Sequence, residues 1–361
     1  MNLVIYGAQA IALGTYKAMK LLYPERSVGC FLVSSMKGNP AVLGGLSVRE
    51  IAEYAGHLSS GEKENTEILI ATPESVMSEI EDTLEACGFY CHVRLTSLRF
   101  AELMGYYYAR TGAFMPLTAL PFGFHIPKIQ MYMAKFYKDK PLRSGYRGPE
   151  WMIPIQVGAA LCEERVADYL DCEGENISDK NANYSELTAL YWIWKNRLTG
   201  GETGDEKVYY GLSHYRRMLE LSEDDLSRLI DNNVDVVLPY PMLYEPDIEE
   251  HHKRYLADAD WRALCRALEE LQPEYIGAFR QVLGQQHFYN YNIILARKSV
   301  LAEYCSWLFP ILKRVEQLSM PKGWKRQDRY IGYMGETLET LYFIHNRNRL
   351  NITHAGCRFL L

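Results

Sequence analysis

The stretch Gly174–Asn196, GENISDKNANYSELTALYWIWKN, changes character at its middle, and the rest of the chain is best read outward from that change. Its first half is polar and turn-forming: Gly174, Asn176, Ser178, Asp179, Lys180, Asn181 and Asn183. Its second half sets Leu187, Leu190, Tyr191 and Trp194 at i, i+3, i+4 and i+7, the spacing of one apolar helix face. Asn183 followed by Glu186 has the form of a capping box, each side chain satisfying a backbone N–H at the helix start. A polar loop feeding a helix N-terminus suits an anion, because unpaired N–H groups and the helix dipole point the same way. A well-capped surface helix needs the same residues, and spacing alone does not separate the two readings.

Upstream, strand-like and helical runs alternate. Leu3–Tyr6, Val28–Val33, Glu67–Ala71 and His92–Leu95 read as strands, with helices over Ile11–Leu22 and Ser75–Cys87 between them. That alternation predicts a parallel sheet with helical crossovers, hence a Rossmann-like unit. Its first turn reads G-A-Q-A-I-A-L-G from Gly7 to Gly14, which lacks the glycine that lets a dinucleotide pyrophosphate approach the backbone. Gly7 and Gly14 are retained as candidate cofactor contacts, beside the plainer reading of a structural or regulatory module. From Phe100 to Pro127, Tyr106-Tyr107-Tyr108 and the prolines 116, 121 and 127 suggest a connector. The expected division is 1–122 and 123–361.

Downstream, Ile129–Tyr137, Ile153–Gly158, Val208–Leu212, Val234–Pro239 and Asn290–Ala296 are strand candidates. A loop with Arg143, Gly145 and Arg147 follows the first of them. Ala257–Leu271, Pro273–Leu283, Ser299–Gln317 and Asp328–His345 read as helices. Overall the chain has 361 residues, 48% hydrophobic and 23% charged, enough for two cores in a globular protein. A net charge of −6 argues against general nucleic-acid binding. The eight cysteines include no C-x-x-C pair, so neither a zinc site nor a disulfide framework is expected, and the sequons at Asn176, Asn183 and Asn351 carry no meaning in a reducing cytoplasm. No leader and no apolar run of membrane length is seen, so a soluble cytoplasmic protein is expected, able at most to lie against the inner membrane face.

The blocks Ile153–Leu161, Glu175–Asn196, Tyr210–Met218, Asp235–Pro239, Tyr289–Ala296, Tyr304–Glu316 and Arg329–Glu336 together resemble a bacterial capsular and exopolysaccharide glycosyltransferase family long catalogued as a domain of unknown function. The ELTALYWIWKN and GLSHYRR segments are the specific part of that resemblance, which spans about 128–345. The sequence departs from it at Tyr137-Lys138, where the family pattern has His-Lys. The resemblance implies a GT-A-like α/β domain. It further implies a nucleotide-sugar donor, UDP-linked by expectation, and a glycan acceptor, itself lipid-linked, destined for capsule, exopolysaccharide or lipopolysaccharide.

Such a transferase must neutralise a departing diphosphate and handle the proton of an acceptor hydroxyl. Here the strand 208–212 runs directly into His214, Arg216 and Arg217. Two guanidinium groups can hold a diphosphate bidentately, so metal-independent transfer is expected, with no metal ligands. Strand alternation would send Arg216 and Arg217 to opposite faces, leaving one to serve. Gln156, Lys180, Asn181, Asn183 and His214 join them as candidate donor contacts. Glu336 and then Asp328 are the candidate bases, because an inverting displacement needs a carboxylate within reach of the attacking hydroxyl. Asp258-Ala259-Asp260 is expected to be a solvated pair, and His251-His252 a solvated basic turn. Two rival functions stand beside this one: modification of a nucleotide-sugar by the N-terminal unit, or non-catalytic binding by both units.

Overall fold

The computed structural model describes residues 2–142, 148–199, 207–319, 326 and 328–360; Arg143, Gly145 and Arg147 lie outside them. Two sheets organise the chain. The first has six strands in the order Val42–Leu43, Leu46–Glu50, Val28–Val33, Asn2–Tyr6, Thr66–Ile70, His92–Arg94. All pairs are parallel except the short hairpin at Val42–Leu43. Its central strands Asn2–Tyr6 and Val28–Val33 are apolar on both faces, as burial from both sides requires. Leu3, Ile5, Phe31 and Val33 pack with Leu13, Met104 and Tyr108 on one side. Val4, Tyr6, Leu32 and Ile68 pack with Ile51, Met77 and Leu84 on the other.

Residues 97–111, expected to be part of a connector, form a helix instead. Thr96 caps it by accepting from the Arg99 N–H, and Gly112 ends it in left-handed backbone at φ 66°. This helix packs on Ala10–Leu22, burying Met104 and Tyr108. The Tyr108 hydroxyl donates to the Pro241 carbonyl at 2.8 Å, tying this part of the chain to the second sheet.

The second sheet has nine strands. Its main path runs Ile352–Ala355, Val236–Pro239, Ile294–Arg297, Val208–His214, Lys128–Lys135, Met152–Gln156, Tyr169–Leu170. Val208–His214 pairs parallel to Lys128–Lys135 and antiparallel to Ile294–Arg297, so the sheet is mixed. The helices Leu187–Ile193, Lys298–Leu318 and Tyr330–His345 cover one face, and Glu223–Asp231 the other. Leu187, Leu190 and Ile193 are fully buried, each contributing roughly 1.5–3 kcal/mol. The α/β class expected from the sequence is therefore the class of the fold. The expected strand at Asn290 begins only at Ile294, because Tyr291 and Asn292 adopt left-handed backbone at φ 77° and 49°.

Candidate active site

A cavity of about 340 Å³ opens where Val208–His214 ends, at the carboxyl edge of the second sheet. Ligands favour that edge in α/β folds because strand ends and helix starts leave polar groups there. The chain turns back after His214 and resumes as Arg217–Leu219, with His214 paired to Arg217. This turn overrides the alternation expected of a continuous strand, so both Arg216 and Arg217 line the cavity. The Arg217 guanidinium lies 3.9 Å from the centre of the Tyr291 ring, a cation–π contact that holds it flat.

Glu186 enters from below. Ser185, at φ 52°, interrupts the helix between Asn181–Tyr184 and Leu187–Ile193, so no capping box forms between Asn183 and Glu186. The Glu186 side chain instead reaches His214 Nε2 at 3.3 Å and accepts from Asn292 Nδ2 at 2.6 Å. It is 7% exposed. Burial pushes its carboxyl up, but His214 beside it and the Asn292 amide hold it below the ordinary range.

Glu336 projects from the helix Tyr330–His345, its Oε1 accepting from the Tyr291 N–H at 2.9 Å. Burial, and next the negative charge of Glu186, push its carboxyl up to about 8. Two carboxyls in one cavity thus titrate far apart, the pattern by which sites divide acid and base work. Glu339, further along the same helix, is buried and raised well above the carboxylate range by burial and by Glu336.

The remaining wall is largely aromatic, with Arg329 beside it. His251 and His252, expected in a solvated turn, are buried: the short helix Ile248–His252 packs them against Tyr244, Phe288 and Trp261. Burial lowers His251 to about 4 and His252 to about 3. Asn290 donates to the Tyr244 hydroxyl at 3.0 Å. Several buried polar atoms around the cavity have no hydrogen-bond partner among the described residues: Ser185 Oγ, Arg216 Nε, Arg217 Nε, His251 Nδ1 and Asn290 Oδ1. Orphaned groups at that density are what a ligand would satisfy.

The cavity therefore gathers His214, Arg216, Arg217 and Glu336 from the expected site and leaves out the others. Gln156 is spent on the Glu164 carbonyl and Val166 N–H, at 2.8 and 2.9 Å. Lys180 pairs with Glu316 at 2.8 Å. Asn181 donates to the Ser185 carbonyl, and Asn183 to the Arg326 and Asp328 carbonyls. Asp328 is exposed and pairs with Arg326 at 2.6 Å. Gly7, at φ 125°, is needed for close approach, since a Cβ there would fall 2.6 Å from the Ala71 carbonyl oxygen; Gly14 is packed against Phe100. Asp260, expected to be solvated, is 1% exposed and held by Arg326 through two contacts of 2.6 Å.

Glu186, Asn290, Asn292 and Tyr244 were not anticipated. One signal was available for Glu186. Helical spacing puts it on the face of Leu190 and Ile193, where a charge is out of place. Among the described residues no group of three or more His, Cys, Asp or Glu could hold a metal ion, and no helix is long and apolar enough to cross a membrane.

Fold and cavity together describe an α/β protein with a polar cavity at the edge of its larger sheet. The chain belongs to the family described as a domain of unknown function, DUF4422, whose model matches residues 139–347, more than half of it. It is also similar to a solved structure described as the WbbM bifunctional glycosyltransferase in its apo form. The two are 26% identical with a TM-score of 0.54, over 64% of this chain and 45% of that one. The chain thus spans less than half the length of that protein. Among curated proteins none matches.

Proposed function

We propose that the protein is a glycosyltransferase whose cavity moves a sugar from a nucleoside-diphosphate donor to a glycan hydroxyl. One observation carries this reading: two arginines with unpaired Nε atoms share a cavity with a buried carboxyl held near neutral titration. In the step, the acceptor oxygen bonds to the anomeric carbon as the bond from that carbon to the phosphate oxygen breaks. The acceptor proton passes to Glu336, and the leaving diphosphate's charge falls to Arg216 and Arg217. A base with a pKa near working pH is efficient because its ionised form is both accessible and strongly basic.

Membership of the family and the likeness to a bifunctional glycosyltransferase support the class. The finer points rest on the resemblance of residues 128–345: a UDP-linked donor, metal-independent transfer, and a lipid-linked capsule, exopolysaccharide or lipopolysaccharide precursor as acceptor at the cytoplasmic membrane face. In this reading residues 123–361 carry the chemistry and residues 1–122 bind a nucleotide or regulate. The test is a panel of nucleotide-sugars, scored by turnover and by melting temperature in excess chelator, since a ligand that prefers the folded state raises it. Stabilisation and turnover of one donor in chelator are expected. A strict need for Mn²⁺ or Mg²⁺ would remove the arginine mechanism, and no response to any donor would remove the class.

A further inference from the structure

One short segment touches both carboxylates of the cavity. Tyr291 and Asn292 are consecutive residues in left-handed backbone. Asparagine tolerates that region, but a bulky aromatic stays there only when its surroundings hold it, and such strain gathers at functional sites. The Tyr291 N–H donates to Glu336 Oε1 at 2.9 Å, while the Asn292 amide donates to Glu186 Oε1 at 2.6 Å and to the Gly332 carbonyl at 3.2 Å. Asn292 is 2% exposed. The helix behind it leaves room only because residue 335 is glycine: a Cβ there would lie 2.8 Å from Asn292 Oδ1.

We propose that Tyr291–Asn292 is a clamp seating Glu186 and Glu336 in one cavity in unequal roles, which makes Glu186 and Asn292 positioning residues for proton transfer at Glu336. The inference rests on the reading of Glu336 as the base. Glu336 faces Glu186 from the start of Leu187–Ile193, Arg217 from the hairpin and Glu339 from its own helix. Tyr244, Tyr291 and Tyr333 lie around it, and Arg216, Arg329, His214, His251 and His252 share the cavity wall. Of these, Glu186 is the negative neighbour held in place by dedicated donors. Burial, and next the charge of Glu186, keep the proton on Glu336 until the pH approaches about 8, and make the ionised form a stronger base.

The experiment is an infrared difference titration of the full-length protein, following protonated carboxyl bands, with no substrate required. The wild type is expected to lose a band with a midpoint near 8. Glu336→Gln should lack that transition and Glu339→Gln should keep it. In the near-isosteric Glu186→Gln variant the midpoint should fall by about one unit or more. Asn292→Gly, which suits left-handed backbone while deleting the amide, should move it the same way by less. An unmoved midpoint in both folded variants overturns the clamp. Full donor turnover by Glu336→Gln, with the band moving as described, sinks the base assignment rather than the coupling.

Discussion

The loop around Asp171 and the cavity around Glu186 lie at the two ends of one connection, and both are built from buried polar groups. Asp171 is fully buried and accepts from the Gly158 and Ala159 N–H groups and from the Ser178 and Thr188 hydroxyls. Asn181 and Asn176 close the rest of that loop through backbone carbonyls. Around Glu186, by contrast, hydroxyl, amide, imidazole and guanidinium atoms remain unpaired among the described residues. The first region is a structural network, complete without a ligand. The second keeps unpaired atoms, and that, rather than the abundance of polar residues, is why the proposed chemistry is placed there.

Substitutions should break or sharpen this contrast. The largest effect is expected for Asp171→Ala, which strands four buried donors and should cost about 3–5 kcal/mol in denaturant unfolding. A loss below about 1 kcal/mol would erase the distinction between the regions. Next, Arg216→Ala with Arg217→Ala should lower donor turnover by about 10²–10³-fold or more while the melting temperature stays close to wild type. Normal turnover would move the diphosphate site elsewhere.

Glu336 adds a pH signature. Its carboxyl titrates at about 8 in the folded chain against 4.5 ordinarily, so the folded state favours the protonated form. The associated stability is present below about 4.5 and is lost as pH rises through about 8. Relative to wild type, Glu336→Gln should therefore gain stability between pH 5 and pH 9, measured by paired denaturant melts, and a flat difference would contradict the raised value. The smallest change is expected for Asn183→Ala: about 1 kcal/mol of stability from two lost hydrogen bonds, with turnover per folded molecule unchanged.

Much of the fold was legible because burial of a face leaves a period in the sequence. Val28–Val33 and Asp258–Leu271 fall where the apolar pattern put them. His214, Arg216 and Arg217 were legible for a related reason, as charged residues directly after a buried strand. Glu186 was obscured by local logic, since its spacing from Asn183 fits a cap and only the left-handed turn at Ser185 diverts it. Tyr289-Asn290-Tyr291-Asn292 alternates with period two and reads as a strand, though the backbone turns there. Lys180 and Asn183 looked available because their partners, Glu316 and the carbonyls of Arg326 and Asp328, are remote in sequence. Nothing local announces a partner of that kind.

Tyr291 carries its backbone strain at no net loss to the fold. Glycine at this position would relax the main chain, yet it would strip away a ring that packs on the core and carries Arg217, and the lost packing outweighs the relief. A laboratory selection for thermal endurance alone would therefore keep the tyrosine, strain included.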